Sequence, residues 1–260
     1  MSPSFSEHLG LLDLHGRAGV ATLEALSPDA TVPPGEATAL QAAEDHWATL
    51  EIWSWSLTHP GEHWSDREDP ATPAGYPALV AAIAAEIGRL GTALGQAGPD
   101  VSLDYFGRPG TTADVARLLA FEAVTMAHTT GLAAGRPALG LDPAVASDGV
   151  GQALGHWVSA QPDIVWRSRP VAIRTTDTSG VWYLSLADVD DDLAGDFRLA
   201  SAESPAAVVE GSAQDVLWWL HGHLVPEVSV TGDEADVRAV KSVFLQPVEK
   251  ARRPKRRWFG

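Results

Sequence analysis

"VAIRTTDTSGVWYLSL", residues 171–186, decides the fold of this 260-residue chain. Two runs rich in β-branched and aromatic residues flank Asp177, Thr178, Ser179 and Gly180, a cluster of turn formers, and so predict a β-hairpin. Nothing earlier in the chain reads this way. Over the first ~150 residues the apolar residues recur at helical spacing, and no run alternates convincingly as a strand would. The change of pattern predicts two domains, a helical one over 1–160 and a small α+β one over 161–250, followed by a basic tail over 251–260.

Upstream of the hairpin, a first helix is predicted from Phe5 to Leu23, ended by "SPDATVPPG" (27–35), whose prolines cannot continue it. The second covers 37–57 and carries His46, Trp47, Trp53 and Trp55. In the third, 76–95, Pro77 is tolerated in the first turn, and the fourth starts at Thr111 and Thr112, whose hydroxyls suit an N-cap. Four such helices make a bundle, where sites are built from inward side chains of facing helices. Downstream, "QPDIVWRSRP" (161–170) reads as a linker and "AAVVEG" (206–211) as a third strand. Ser212 with Asp215 starts a helix, "EVSVTGD" (227–233) is a fourth strand, and "EADVRAVKSVF" (234–244) is a closing helix.

Composition excludes several kinds of chemistry. There is no cysteine, so no disulfide, thiolate metal site or cysteine nucleophile exists, and any thiol must come from a bound small molecule. Net charge is −16, yet the last ten residues hold five basic groups and no acid, which leaves the body more acidic still. Such a body repels phosphate backbones, so nucleic acid is not an expected partner. The N-terminus lacks the basic and apolar regions of a signal peptide, and the most apolar window, 77–95, is broken by Glu86 and Arg89. A soluble, cytoplasmic protein with a small-molecule substrate and no membrane partner is expected.

Candidate chemistry centres on "AFEAVTMAH" (120–128). At 100° per residue Glu122 and Met126 lie ~40° apart on one helix face, whereas His128 lies ~120° from Glu122 and ~9 Å along the axis. Glu122 shares its side with Leu118, Leu119 and Met126 and is expected to point inward, with His46 as its hydrogen-bonding partner in the bundle. His128 is expected at a solvent-facing or helix-end position. His59 and His63 of "HPGEH" read as exposed loop residues, and "DVDDDLAGD" (188–196) lacks the spacing of a calcium loop. His221 and His223 close the helix "AQDVLWWLHGHL" (213–224).

The ordered landmarks His46 to Trp53, "FEAVTM", "GRPALGLDPAVASDGV", "TTDTSGVWYLSL", "VEGSAQDVLWWLHGH" and "VSVTGD" resemble the mycothiol-dependent maleylpyruvate isomerase family. The resemblance spans nearly the whole chain and implies a DinB-like four-helix bundle followed by a sterol-carrier-like α+β domain. It implies a metal held by a histidine of the second helix and a Glu and His four apart on the fourth, with an arginine in the second domain. Here His46 and Glu122 stand at the first two positions, Met126 at the third, and His223 at that of the arginine. The tryptophan expected a few residues after "PG" is replaced within "GEAT" (35–38).

A site short of one metal ligand and the arginine implies a diverged enzyme. It is expected to act on a small, largely apolar organic molecule by acid–base chemistry at His46 and Glu122, with His223 assisting, in a pocket between the domains. No tightly bound metal is expected. Two alternatives stand beside it: an isomerase or S-transferase dependent on mycothiol and a divalent metal such as zinc, as the resemblance implies, and a non-catalytic small-ligand-binding or accessory protein.

Overall fold

The computed structural model describes residues 2–68, 70–156, 158, 164–188, 197–201, 204–225 and 227–244. The basic tail and the acidic loop beyond Asp188 lie outside them. Two compact units make up the chain, Met1–Leu141 and Asp142–Gly260.

Four long helices form the first unit: α1 (Phe5–Leu23), α2 (Ala39–Thr58), α3 (Tyr76–Ala97) and α4 (Thr112–Ala133). Three start on capping boxes, Ser4 with Glu7, Thr38 with Gln41 and Thr111 with Asp114, which satisfy amides that no helical carbonyl can reach. Contacts fix the directions. His8 meets Phe121 while Gly19 meets Met126 and Ala127, so α1 and α4 run the same way. Leu9 lies by Gly95, Gly16 by Ile87, and the Tyr76 hydroxyl donates to the Leu23 carbonyl, so α3 runs against α1. A hairpin of β1 (Ser102–Asp104) and β2 (Pro109–Thr111) joins α3 to α4, and Trp53 of α2 stacks on its Tyr105 at 5.4 Å. The C-terminal end of α2 therefore lies at the start of α4, and α2 runs parallel to α3. By length and composition α3 could cross a bilayer, but it buries Leu79, Ile83, Leu90 and Leu94 in the bundle core and carries the buried Glu86.

The second unit begins with α5 (Pro143–His156), which packs on α6 (Ala213–Leu220). Its five-stranded sheet has the order β5 (Phe197–Leu199), β4 (Val181–Leu186), β3 (Val171–Thr175), β6 (Ala207–Gly211), β7 (Ser229–Gly232). The expected hairpin is β3–β4, antiparallel with Val171 opposite Leu184, and β6 joins β3 in parallel. Ser212 caps α6 as its sequence implies, and α7 (Glu234–Phe244) packs on β3, β4, β6 and β7. The described part of the expected linker is tied to the sheet: the Arg167 amide donates to the Leu186 carbonyl at 2.9 Å and the Asp188 amide to the Val165 carbonyl at 2.7 Å. Helix α5 was not legible as such because three glycines weaken its pattern, although Asp142 followed by Pro143 marks a helix start.

Gly232 ends β7 with φ +91°, and a Cβ there would lie 2.2 Å from the Ala206 carbonyl oxygen. Backbone cannot yield as a flexible side chain can. Gly232→Ala is expected to cost about 3 kcal/mol in urea unfolding of the second unit. Gly98→Ala has φ +77° but open space around it. It should cost only about 1 kcal/mol.

Candidate functional site

His46 lies in the middle of α2 and Glu122 in the middle of α4, and these helices pack on each other. Both side chains are drawn from water by apolar neighbours: α2 buries Ala43, Trp47 and Leu50, and α4 buries Leu118, Leu119, Ala123 and Met126. His46 is 6% exposed, and its Nε2 has no hydrogen-bond partner among the described residues. Burial pushes its pKa down to about 4, so the ring is neutral at physiological pH. Glu122 is partly buried, and removal from water pushes its pKa up to about 7. Among the described residues no hydrogen bond or ion pair reaches the Glu122 carboxylate and no hydrogen bond joins it to His46; burial alone shifts each group.

Met126 follows Glu122 by one turn, as its spacing predicts, and is 7% exposed. Its methyl group lies over Gly19 of α1, where an added Cβ would come within 2.4 Å of it. The bare backbone of Gly19 thus gives the thioether its seat. His128 is neither solvent-facing nor at the helix end: it is 3% exposed, and its Nδ1 accepts the Leu139 amide at 3.2 Å, tying the segment after α4 back to the helix. The sequence concealed this because the chain that covers His128 returns only after the turn at Gly135. His59 and His63 are partly buried. His59 stacks on Trp55 at 4.4 Å and ends α2, and His63 Nδ1 accepts the Ser65 amide at 3.2 Å.

The bundle also buries the ionisable side chains of His8, His15 and Glu86, none of them a candidate site residue from sequence. Glu86 falls on the stripe Leu79, Ile83, Leu90, Leu94, a spacing that predicts burial. One of its oxygens pairs with Arg89, and the other has no partner among the described residues. In the second unit His223 is buried, with its ring edge-on to Trp218 at 6.1 Å. His221 ends α6 on the same indole at 6.4 Å, and burial, then His223, pushes its pKa down to about 4. A cavity of about 190 Å³ between α1 and α3, lined by Gly16, Val20, Ala84 and Ile87 among others, includes neither His46 nor Glu122.

No family model matches the sequence. No curated protein matches it at a significant level either. Solved structures do match. A histidine-to-alanine variant of mycothiol-dependent maleylpyruvate isomerase superposes with a TM-score of 0.60 at 13% identity, over 89% of this chain and 95% of that one. A second structure of mycothiol-dependent maleylpyruvate isomerase gives 0.59 at 14% over the same shares. This chain has the maleylpyruvate isomerase fold. The likeness extends over both units, in agreement with the bundle and the α+β domain read from the sequence.

A metal in this bundle would need a third protein donor. Among the described residues no three His, Asp or Glu side chains gather as metal donors. His46 and Glu122 supply two, and the position one turn after Glu122 offers a thioether, a soft ligand mismatched to an imidazole and a carboxylate. The residues present do not fit a three-ligand zinc site.

The buried imidazole has a consequence for stability. His46 gains a proton more readily unfolded, near pH 6.5, than folded, near 4, so stability is lost as pH falls between these values. The loss integrates to about 3 kcal/mol at acid pH. His46→Gln removes the titration, and its urea midpoint is expected to fall less steeply than that of the natural protein between those limits.

Proposed function

We propose that this protein is an enzyme that acts on a small, largely apolar organic molecule by acid–base chemistry at His46 and Glu122, without the metal site implied for its fold. The observation that carries the reading is an imidazole and a carboxyl withdrawn from water among apolar side chains, in the middle of two helices that pack on each other; that burial pushes their pKa values apart, His46 down to about 4 and Glu122 up to about 7. Glu122 exchanges between acid and carboxylate at neutral pH, where a general base is most effective. As carboxylate it can take a proton from carbon beside a carbonyl and return it at a second carbon, which leaves an isomer. His46, neutral throughout, can hold the carbonyl oxygen or relay the proton through Nε2. His223 remains the candidate of the second unit by its place in the sequence. We place the protein in the cytoplasm.

A second reading, a metal- and mycothiol-dependent isomerase or S-transferase, is favoured by the shared fold. Purification without added metal and calorimetry with mycothiol separate the two. The acid–base reading expects turnover in the presence of a chelator and no requirement for the thiol. Loss of turnover in His46→Ala and Glu122→Gln with retained ligand binding supports it; unchanged turnover in both would make the protein a binding or accessory module.

A further inference from the structure

Of the 18 basic side chains three are lysines, Lys241, Lys250 and Lys255, and only Lys241 lies among the described residues. It sits in the last turn of α7, partly exposed, with its Nζ 5.2 Å from the centre of the Trp219 ring. Trp219 is 7% exposed, so the indole walls the amine off from water on one side. The positions that would pair with Lys241 along the helix hold Val237, Arg238 and Phe244, none of them an acid. The acids of the first turn are engaged elsewhere, Glu234 with Arg238 and Asp236 with Arg167. Among the described residues no carboxylate reaches the Lys241 amine. Burial holds that amine below its ordinary pKa range. His223, itself buried, lies within electrostatic reach, and burial, then Lys241, holds its imidazole below the usual range. An arginine in this place would keep its charge, whereas a lysine can give it up and become a nucleophile.

We propose that Lys241, set against the Trp219 ring beside His223, is a nucleophilic amine that captures small apolar aldehydes as reversible imines. This site uses neither His46 nor Glu122 and stands whether or not they are catalytic. The Nζ lone pair adds to the carbonyl carbon, and a proton passes from nitrogen to the alkoxide oxygen, which gives a carbinolamine. The hydroxyl then takes up a proton and leaves as water, the nitrogen gives up its remaining proton, and the C=N bond forms. The sum is amine plus aldehyde giving imine plus water, and hydrolysis reverses it. The neutral ring of His223 can carry the proton from nitrogen to oxygen. The indole offers an apolar aldehyde a surface to cover, and the exposed side of Lys241 admits it.

The test uses the full chain with benzaldehyde and cyanoborohydride, which reduces an imine to a stable secondary amine, and reads each lysine by peptide mass spectrometry. At about pH 7.5 Lys241 should be benzylated about tenfold faster than Lys250 or Lys255. In guanidinium chloride, where no fold withdraws the amine from water, the ratio should fall to about one. Glyceraldehyde, uncharged but polar, should favour Lys241 about threefold less than benzaldehyde does. Trp219→Leu lets water reach the amine and should lower the benzaldehyde preference about threefold or more. Benzylation of Lys241 no faster than that of Lys250 and Lys255 in the folded chain overturns the proposal. A preference that persists in guanidinium chloride comes from local sequence and overturns it too, with no variant needed. Equal preference with glyceraldehyde, or a folded Trp219→Leu protein that keeps the full preference, removes the apolar seat and with it the aldehyde class.

Discussion

Glu122→Gln is expected to lower turnover by about a hundred- to ten-thousandfold while making the protein more stable at alkaline pH. The two effects share one cause. Burial pushes the carboxyl's pKa up to about 7 in the folded chain from its ordinary value of 4.5, so the fold holds the proton more tightly and is penalised once the proton leaves. That penalty grows as pH rises from 4.5 through 7, then stays constant. Partial solvent access limits it to at most about 3 kcal/mol. Glutamine removes the charge and keeps the shape, so urea unfolding near pH 8 should show a gain in stability. Turnover should rise through about pH 7 in the natural protein, and this dependence should vanish with the carboxyl. A variant less stable at alkaline pH would show that Glu122 is held as a carboxylate by a partner, and the general-base role would fail.

Met126→His is expected to raise zinc affinity about a hundredfold, the equivalent of ~2.7 kcal/mol. It sets an imidazole four residues from Glu122 on the same face of α4, the third protein ligand that an open zinc site needs beside His46 and Glu122. The imidazole is shorter than the thioether it replaces and occupies space that Gly19 leaves open. The natural protein, purified without added metal, should carry much less than one equivalent of zinc. Tight stoichiometric zinc that is lost in His46→Ala would favour the thiol-dependent reading. No gain in the variant would show that α2 and α4 do not aim His46 and residue 126 at one point.

Most of the architecture was legible because its signals are local. Capping pairs at Ser212 and Thr111, the turn at 177–180 and the apolar stripe of α3 depend on residues within a few positions of one another. Helix α5 escaped because its glycines dilute the pattern and its stability comes from packing on α6, far along the chain. The site was half legible for the same reason. Helical geometry aligns Glu122 with Met126, but nothing near Met126 in the sequence announces the glycine of α1 that seats it. The burial of His128 is not legible locally because its cover comes from Leu139, on a returning segment that helical periodicity does not describe.

The central claim, that the bundle interior holds an acid–base carboxyl rather than a metal ligand, is tested most directly by titrating the Glu122 ¹³C signal with and without one equivalent of zinc. A midpoint of about 7, unchanged by the metal or by a chelator, is expected. A midpoint in the ordinary carboxylate range, or a signal that zinc displaces at stoichiometric concentration, would contradict it.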